Sequence, residues 1–321
     1  MAALPEAPFF ETVDLLQLGV SDLDPLLDEE IDVWEKRFCW DFRASATLLR
    51  RFLQMHSLYG YALRVNRQVV GYAYYVCEAR KGLIGDFYVR HEYNSPAAEF
   101  QLLGSVVQGL VRTSGIRRIE SQLLLLQSPL RPAPFDNYLT RHDRVFMLMN
   151  ADCWERLRAV VPGIRVTFVA WADRYHEEAA HLVSAAYKGH VDSDINDQYR
   201  TIPGARQFLT NIIRYPGCGQ FTPAATVLAI DDRTGRVCGA CFSSMVSADS
   251  GHITQLCVLP ALRGEKLGYE LLRLSLERLV QLGCKTISLT VTSSNVGAIQ
   301  LYESIGFRKL STFPALVWHG W

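Results

Sequence analysis

The period of the apolar positions changes several times along the chain, and each change marks an element. Tyr61-Ala-Leu-Arg-Val65 is followed by the polar pair Asn66-Arg67 and then by Gln68-Val-Val-Gly-Tyr-Ala-Tyr-Tyr75. Two short β-rich runs around a tight polar turn predict a hairpin. A second hairpin is predicted where Thr226–Ile230, the turn Asp231-Asp-Arg-Thr-Gly235 and Arg236–Val246 follow one another, and Gly251–Leu259 adds a third strand. Further on the period becomes helical. Leu271, Leu272, Leu276, Leu279 and Leu282 cover a wide apolar arc opposite a polar stripe of Glu270, Arg273, Glu277 and Gln281. Gly283 supplies the stop. A strand over 285–292, a helix over 296–304 and a last strand over 314–318 complete this half. Ahead of the hairpin, Asp173 is the expected N-cap of a helix running from His176 to Tyr187, and a second helix is expected from Gly204 to Arg214. Antiparallel strands followed by a parallel crossover make a mixed α/β order.

The same order occurs twice. Gly71 and Gly239 sit at equivalent places in the two hairpins, 168 residues apart. Leu83–Val89 then answers His252–Val258, a helix follows in each half and ends at Gly115 and at Gly283, and Ile116–Leu123 answers the strand beginning at Lys285. The expectation is two tandem domains, 1–155 and 160–321, each a mixed, mostly antiparallel sheet flanked by helices. The segment Asp152–Arg158 reads as a short connecting helix, broken by Val161-Pro-Gly163.

Composition narrows the function classes. With 49% apolar and 21% charged residues the chain is an ordinary globular protein. Lys plus Arg number 33 and Asp plus Glu number 33, so no global basic field draws nucleic acid or an anionic membrane. No apolar run is long enough for a membrane span, and the first residues lack the basic and apolar regions of a signal peptide, which points to the cytoplasm. Cys238-Gly-Ala-Cys241 is the one close pair among eight cysteines. It lies in a strand, where residues three apart point to opposite faces, so both read as core cysteines. No Cys/His cluster has zinc spacing, and no metal is expected.

The chemistry concentrates where a strand ends at Val258, a loop turns through Pro260-Ala-Leu-Arg-Gly264, and a helix begins. The first N–H groups of a helix have no partners within it and sit at the positive end of its dipole, which suits phosphate. Gly264 and Gly268 remove side chains where a pyrophosphate must approach, and Arg263 and Lys266 add positive charge. A plain strand–turn–helix connection would need no more than this, and the downstream segment tips the balance.

Leu256-Cys-Val258-Leu-Pro260 followed by Arg263-Gly-Glu-Lys266-Leu-Gly268, and then Asn295-Val-Gly-Ala298-Ile-Gln-Leu301-Tyr302-Glu303-Ser-Ile-Gly306-Phe307, resembles the GCN5-related N-acetyltransferase (GNAT) superfamily. The match is good over 226–307 and looser over 165–221. Lys266 stands where the family usually has its middle glycine. The resemblance implies an acetyl-CoA-dependent N-acyltransferase that moves an acetyl group to a primary amine by direct attack, the acceptor being a small-molecule or peptide amine. It implies that the backbone of Cys257 and Val258 pairs with the pantetheine of CoA like an added strand, and that the amides of Arg263, Gly264, Glu265, Lys266, Leu267 and Gly268 hold the pyrophosphate. Asn295 contacts the cofactor from across the cleft, and Tyr302 gives a proton to the departing thiolate. The family often has a base at the position of His252, whose imidazole titrates near neutrality; ordered water is the other candidate. Gln255 can orient an amine but cannot act as a base. His190, Asp192, Asp194 and Asn196 form a polar cluster placed for acceptor contact.

The first half lacks this equipment. Its loop reads Tyr93-Asn-Ser-Pro-Ala-Ala-Glu99, with a proline that has no N–H and a carboxylate that repels phosphate. It reads as a degenerate copy with a structural or cleft-bordering role. Two other functions fit less well: a scaffold that binds CoA without turnover, and an aminoacyl transferase using charged tRNA, which the neutral charge disfavours.

Overall fold

The structure, a computed structural model, describes residues 8–215 and 217–321. The strands are β1 (Glu11–Asp14), β2 (Gly60–Val65), β3 (Gln68–Glu78), β4 (Lys81–Val89), β5 (Arg118–Gln122), β6 (Leu139–Asn150), β7 (Val166–Ala170), β8 (Gln220–Phe221), β9 (Val227–Asp231), β10 (Val237–Ser247), β11 (Ser250–Val258), β12 (Thr286–Thr292) and β13 (Arg308–His319). The helices are α1 (Val20–Phe38), α2 (Arg43–Gln54), α3 (Pro96–Arg112), α4 (His176–Ala186), α5 (Asp192–Ile195), α6 (Ile202–Arg214), α7 (Leu267–Gln281) and α8 (Val296–Ile305).

The chain divides into two compact units, and neither is a contiguous half. Unit 1 holds the described residues up to Trp34, then 42–142 and 313–321; unit 2 holds 35–41 and 143–312. The division expected at 155–160 falls inside unit 2. The reason is strand pairing: Arg144–Asn150 of β6 pair with β12, whereas Ala315–His319 of β13 pair with β5. A strand belongs with the edge it bonds, and hydrophobic alternation along one strand carries no record of its partner.

In unit 1 the strands run β1-β2-β3-β4-β5 and then the end of β13, all antiparallel except β4 with β5. Leu102, Leu103, Val106 and Leu110 of α3 pack with Leu63, Ala73, Phe87 and Trp318 in one core. In unit 2 the order is β7-β9-β10-β11-β12 and then the end of β6, all antiparallel except β11 with β12. One face packs the leucines of α7 with Ile299 and Tyr302 of α8; the other packs Leu182 and Val183 of α4 and Phe208 and Leu209 of α6 against Leu228, Phe242 and Cys257. Each unit is thus a mixed, mostly antiparallel sheet flanked by helices.

The repeat extends to irregularities. In unit 1 the β3–β4 register slips by one at Gly85, between the pairs Tyr75–Ile84 and Tyr74–Asp86. In unit 2 the β10–β11 register slips at Thr254, between Ser243–Ile253 and Phe242–Gln255. Such bulges re-aim the residues that follow. A further slip at Val237–Gly239 corrects the expectation for the cysteines: Cys238 and Cys241 share one core, on the α7 face. The expected cap Asp173 heads a 3-10 turn instead and accepts Trp171 Nε1–H at 3.3 Å, leaving α4 without a side-chain cap. The connecting segment is likewise 3-10, over Ala151–Arg156. Among the described residues no helix is long and apolar enough to cross a membrane, and no cluster of three metal-ligating side chains occurs.

Candidate active site

The site grows out of a mismatch between two parallel strands. β11 and β12 pair only from Ser250–Thr286 to Ile253–Leu289. The bulge at Thr254 follows at once, and both strands continue beyond it, to Val258 and to Thr292. From Thr254 onward β11 keeps its bonds to β10 on one edge, while its other edge faces a cavity of about 880 Å³. Thr254 to Val258 line one side of this cavity and Leu289 to Val291 line the other. Main-chain groups on such an edge are available to an extended ligand that adds itself as a strand.

The cavity runs to the start of α7. Gly264 and Lys266 both adopt the left-handed conformation, with φ of 86° and 60°, so the loop is tightly wound before the helix. Lys266 is the N-cap, and its side chain makes no capping bond. The early amides of α7 therefore have no side-chain partner at the cap, and Gly264, Lys266, Leu267, Gly268 and Tyr269 all line the cavity. A Cβ at Gly268 would meet only Val258 Cγ2, at 3.7 Å, so what a side chain there would fill is mostly cavity.

Two charged residues of this loop make contacts that serve the fold. Arg263 donates from Nη2 to the carbonyl of Ala186 at 2.6 Å, satisfying the end of α4. Glu265 lies over Gly163, and its carbonyl accepts the Gly163 N–H. Glu270, expected on the solvent stripe, is buried; it pairs with Arg273 at 2.6 Å and accepts the Val160 N–H. The segment ahead of β7 is thereby tied to the first turn of α7.

Tyr302 comes into the same cavity from α8, nearly buried and edge-on to Phe307. Burial pushes its hydroxyl well above the ordinary tyrosine value, with the Asp192 charge acting the same way and Arg144 opposing. It stays a phenol and is equipped to donate rather than accept a proton. Asn295 caps α8, its Oδ1 accepting the Ala298 N–H at 3.3 Å, and also lines the cavity.

His252 is different. It is buried and outside the cavity lining. Its Nδ1 lies 2.9 Å from Ser288 Oγ, its ring stands edge-on to Trp40 at 4.9 Å, and Trp40 Nε1 donates to the same serine. Burial, and secondarily the Arg144 charge, push the imidazole down to about 3. His252 is a packing residue, which corrects its expected role as base. The bulge explains why: His252 precedes the slip at Thr254, in the part of β11 still closed by β12.

The polar cluster after α4 splits in two. His190 and Asp192 line the cavity; Asp194 pairs with Arg200 and Asn196 caps the turn at Gln198, neither in the lining. Sequence reasoning missed Arg144 on β6. It is buried, donates to Thr290 Oγ1 at 3.0 Å and lies 3.7 Å from Asp192. Its only sequence signal was an arginine in an apolar strand. The stacked rings of Tyr187 and Tyr199, 4.6 Å apart, complete this wall together with Gln255, which accepts from Tyr199.

Residues 193–307 match the acetyltransferase (GNAT) family. Over 62 residues the chain is 31% identical to N-alpha-acetyltransferase 30 of Dictyostelium discoideum, covering 19% of this chain and 34% of that one. It is 30% identical over 94 residues to a mycothiol acetyltransferase of Renibacterium salmoninarum, covering 28% of each, and 38% identical over 95 residues to one of Stackebrandtia nassauensis, covering 29% of this chain and 31% of that one. The chain thus spans about a third of the length of the curated relatives it matches. Two solved structures share the fold over nearly the whole chain at 15% identity: a tandem GNAT protein from the clavulanic acid biosynthesis pathway (TM-score 0.63, covering 97% of this chain and 98% of that one) and a GCN5-related N-acetyltransferase from Sphaerobacter thermophilus (TM-score 0.65, 99% and 97%). The segment that matches the acetyltransferase (GNAT) family lies within unit 2, and the chain shares the fold of a tandem GNAT protein.

Proposed function

We propose that unit 2 transfers an acetyl group from acetyl-CoA to a primary amine. The observation that carries this reading is the continuity of one cavity from the open edge of β11 to the uncapped start of α7, with the Tyr302 phenol in the same lining. The pantetheine pairs with the backbone of Cys257 and Val258, the pyrophosphate takes the amides between Arg263 and Gly268, and Asn295 meets the carrier from α8. Several amide-to-phosphate bonds at about 1.5–3 kcal/mol each give useful affinity.

The chemistry is direct attack. Cys257, the cysteine of the lining, is pushed up to about 12 by burial, so it stays a thiol and is a poor nucleophile. The amine loses a proton to water and its nitrogen attacks the thioester carbonyl. As the C–S bond breaks, Tyr302 gives its proton to the sulfur and recovers one from the nitrogen. A scaffold that binds CoA without turnover is the second reading, favoured by the loss of His252 as a base. A screen of amines with free-thiol detection separates them: thiol release that depends on an amine supports transfer, and CoA binding without any release supports the scaffold.

A further inference from the structure

Two N–H groups meet in the cavity with no acceptor between them. His190 follows α4, and its Nδ1 accepts the backbone N–H of Asp192 at 3.1 Å. That places the proton of the neutral ring on Nε2. Nε2 lies 3.3 Å from Asn295 Nδ2. The Asn295 amide is oriented by its other end, where Oδ1 caps α8, so its nitrogen is the atom turned to the imidazole. A donor faces a donor.

The arrangement has no internal remedy. Moving the ring proton to Nδ1 sets it against the Asp192 N–H, and the nearest carboxylate oxygen, Asp192 Oδ2, is 3.8 Å away, beyond hydrogen-bond reach. Protonating the ring leaves Nε2 a donor. Flipping the amide sacrifices the cap of α8. The surroundings hold both groups in place: the Tyr187 ring stands edge-on to His190 at 5.3 Å, and Asp192 takes the Thr292 hydroxyl and lies beside Arg144. His190 and Asn295 both line the cavity. Paired donors without an acceptor, facing a cavity, are what a ligand oxygen needs.

We propose that His190 Nε2–H and Asn295 Nδ2–H form a two-donor clamp for one carbonyl oxygen of the bound reactants. The proposal rests on the reading of this cavity as the acyl-CoA site. Carbonyl oxygens reach it from two sources, a pantetheine amide of the carrier or a carbonyl carried by the acceptor amine. Either one, with two lone pairs, satisfies both donors at once.

The test uses the full chain and two variants. His190→Leu removes one donor. Asn295→Asp keeps a cap for α8 and gives Nε2–H an internal acceptor, so it fills the clamp from within. Titration calorimetry measures affinity for CoA, and for alaninamide and isopropylamine in the presence of CoA; isopropylamine lacks the carbonyl. Melting temperatures monitor folding, and Asn295→Asp answers the question if His190→Leu does not fold. Both variants are expected to weaken CoA or alaninamide at least tenfold, leaving isopropylamine within twofold. Weakened CoA assigns the oxygen to the carrier; a loss confined to alaninamide assigns it to the acceptor. Unchanged affinity for both, or a wild-type chain that binds neither, overturns the clamp. A wild-type chain that binds alaninamide and not CoA overturns the acyl-CoA reading instead and leaves the clamp to the alaninamide result.

Discussion

The starts of α3 and α7 are the same corner of the same fold, closed in one case and open in the other. At α3, Ser95 Oγ accepts the Ala98 N–H at 3.2 Å and Pro96 has no N–H to offer. Glu99 is fully buried, and its carboxylate accepts the N–H groups of Gln127 and Ser128, each at 2.8 Å, and Asn94 Nδ2 at 3.1 Å. At α7 the N-cap Lys266 makes no side-chain bond, and Gly268 stands where Glu99 stands in the repeat. The strands ahead of the two helices differ in the same way. In unit 1 the ring of Tyr74 lies where a Cβ on the bulge residue Gly85 would go, at 2.2 Å. Asp86 is half-buried beside Glu30, both bonded to the Tyr72 hydroxyl. In unit 2 the equivalent region of β11 lines the cavity. The helix-start amides that one copy occupies with Ser95 or removes with Pro96 are left in the other without a side-chain partner.

That contrast is sharpest when one corner is converted into the other. Gly268→Glu puts the unit 1 carboxylate at the start of α7, where a Cβ meets nothing closer than 3.7 Å. Acetyl-CoA is expected to raise the melting temperature of the wild-type chain and to leave this variant unshifted, an affinity loss of at least about 100-fold from repulsion and blocked amides. An unshifted wild type would remove the phosphate site altogether. Next in size is Tyr302→Phe, expected to lower kcat about 100-fold with CoA affinity within twofold; steady-state kinetics with unchanged kcat would remove the donor role.

Opening the closed corner acts on stability instead. Glu99→Ala strands the Gln127 and Ser128 amides, at a cost of about 2–4 kcal/mol in denaturant unfolding, with no gain in CoA affinity. An unfolding midpoint equal to the wild type would show that Glu99 does not hold that corner. The smallest effect concerns Glu30, whose carboxyl is raised well above its usual range, chiefly by burial and then by Asp86. A raised carboxyl stabilises fully below its unfolded value, near 4.3, and that contribution is lost as pH rises through the folded value. Glu30→Gln is therefore expected to lose less melting temperature than the wild type between about pH 5 and 8. Parallel pH profiles would mean the carboxyl ionises without cost.

Much of the site was legible because its signals are local. The Arg263–Gly268 loop, the Asn295 cap and Tyr302 lie on neighbouring elements of unit 2, and the structure gathers them around one cavity. His252 was misread for a reason outside its neighbourhood. Trp40, more than two hundred residues earlier in the chain, covers its ring, and the cavity lining on β11 begins only at the next residue, Ile253. Arg144 was missed because its meaning depends on Asp192, Thr290 and Thr292, which reach it from other elements. The Arg263 side chain was read only as added positive charge for a phosphate, and its bond to the end of α4 was not foreseen.

By itself the sequence determined the kinds of element, their repetition and the uncapped, glycine-bearing start of α7, because periodicity, turns and caps are short-range properties. The tertiary structure alone decided which edge the strands of residues 143–150 and 313–319 join, which histidine faces the cavity, and which donors are left over. Those outcomes depend on desolvation and pairing between residues far apart in the chain, where no local pattern records the partner.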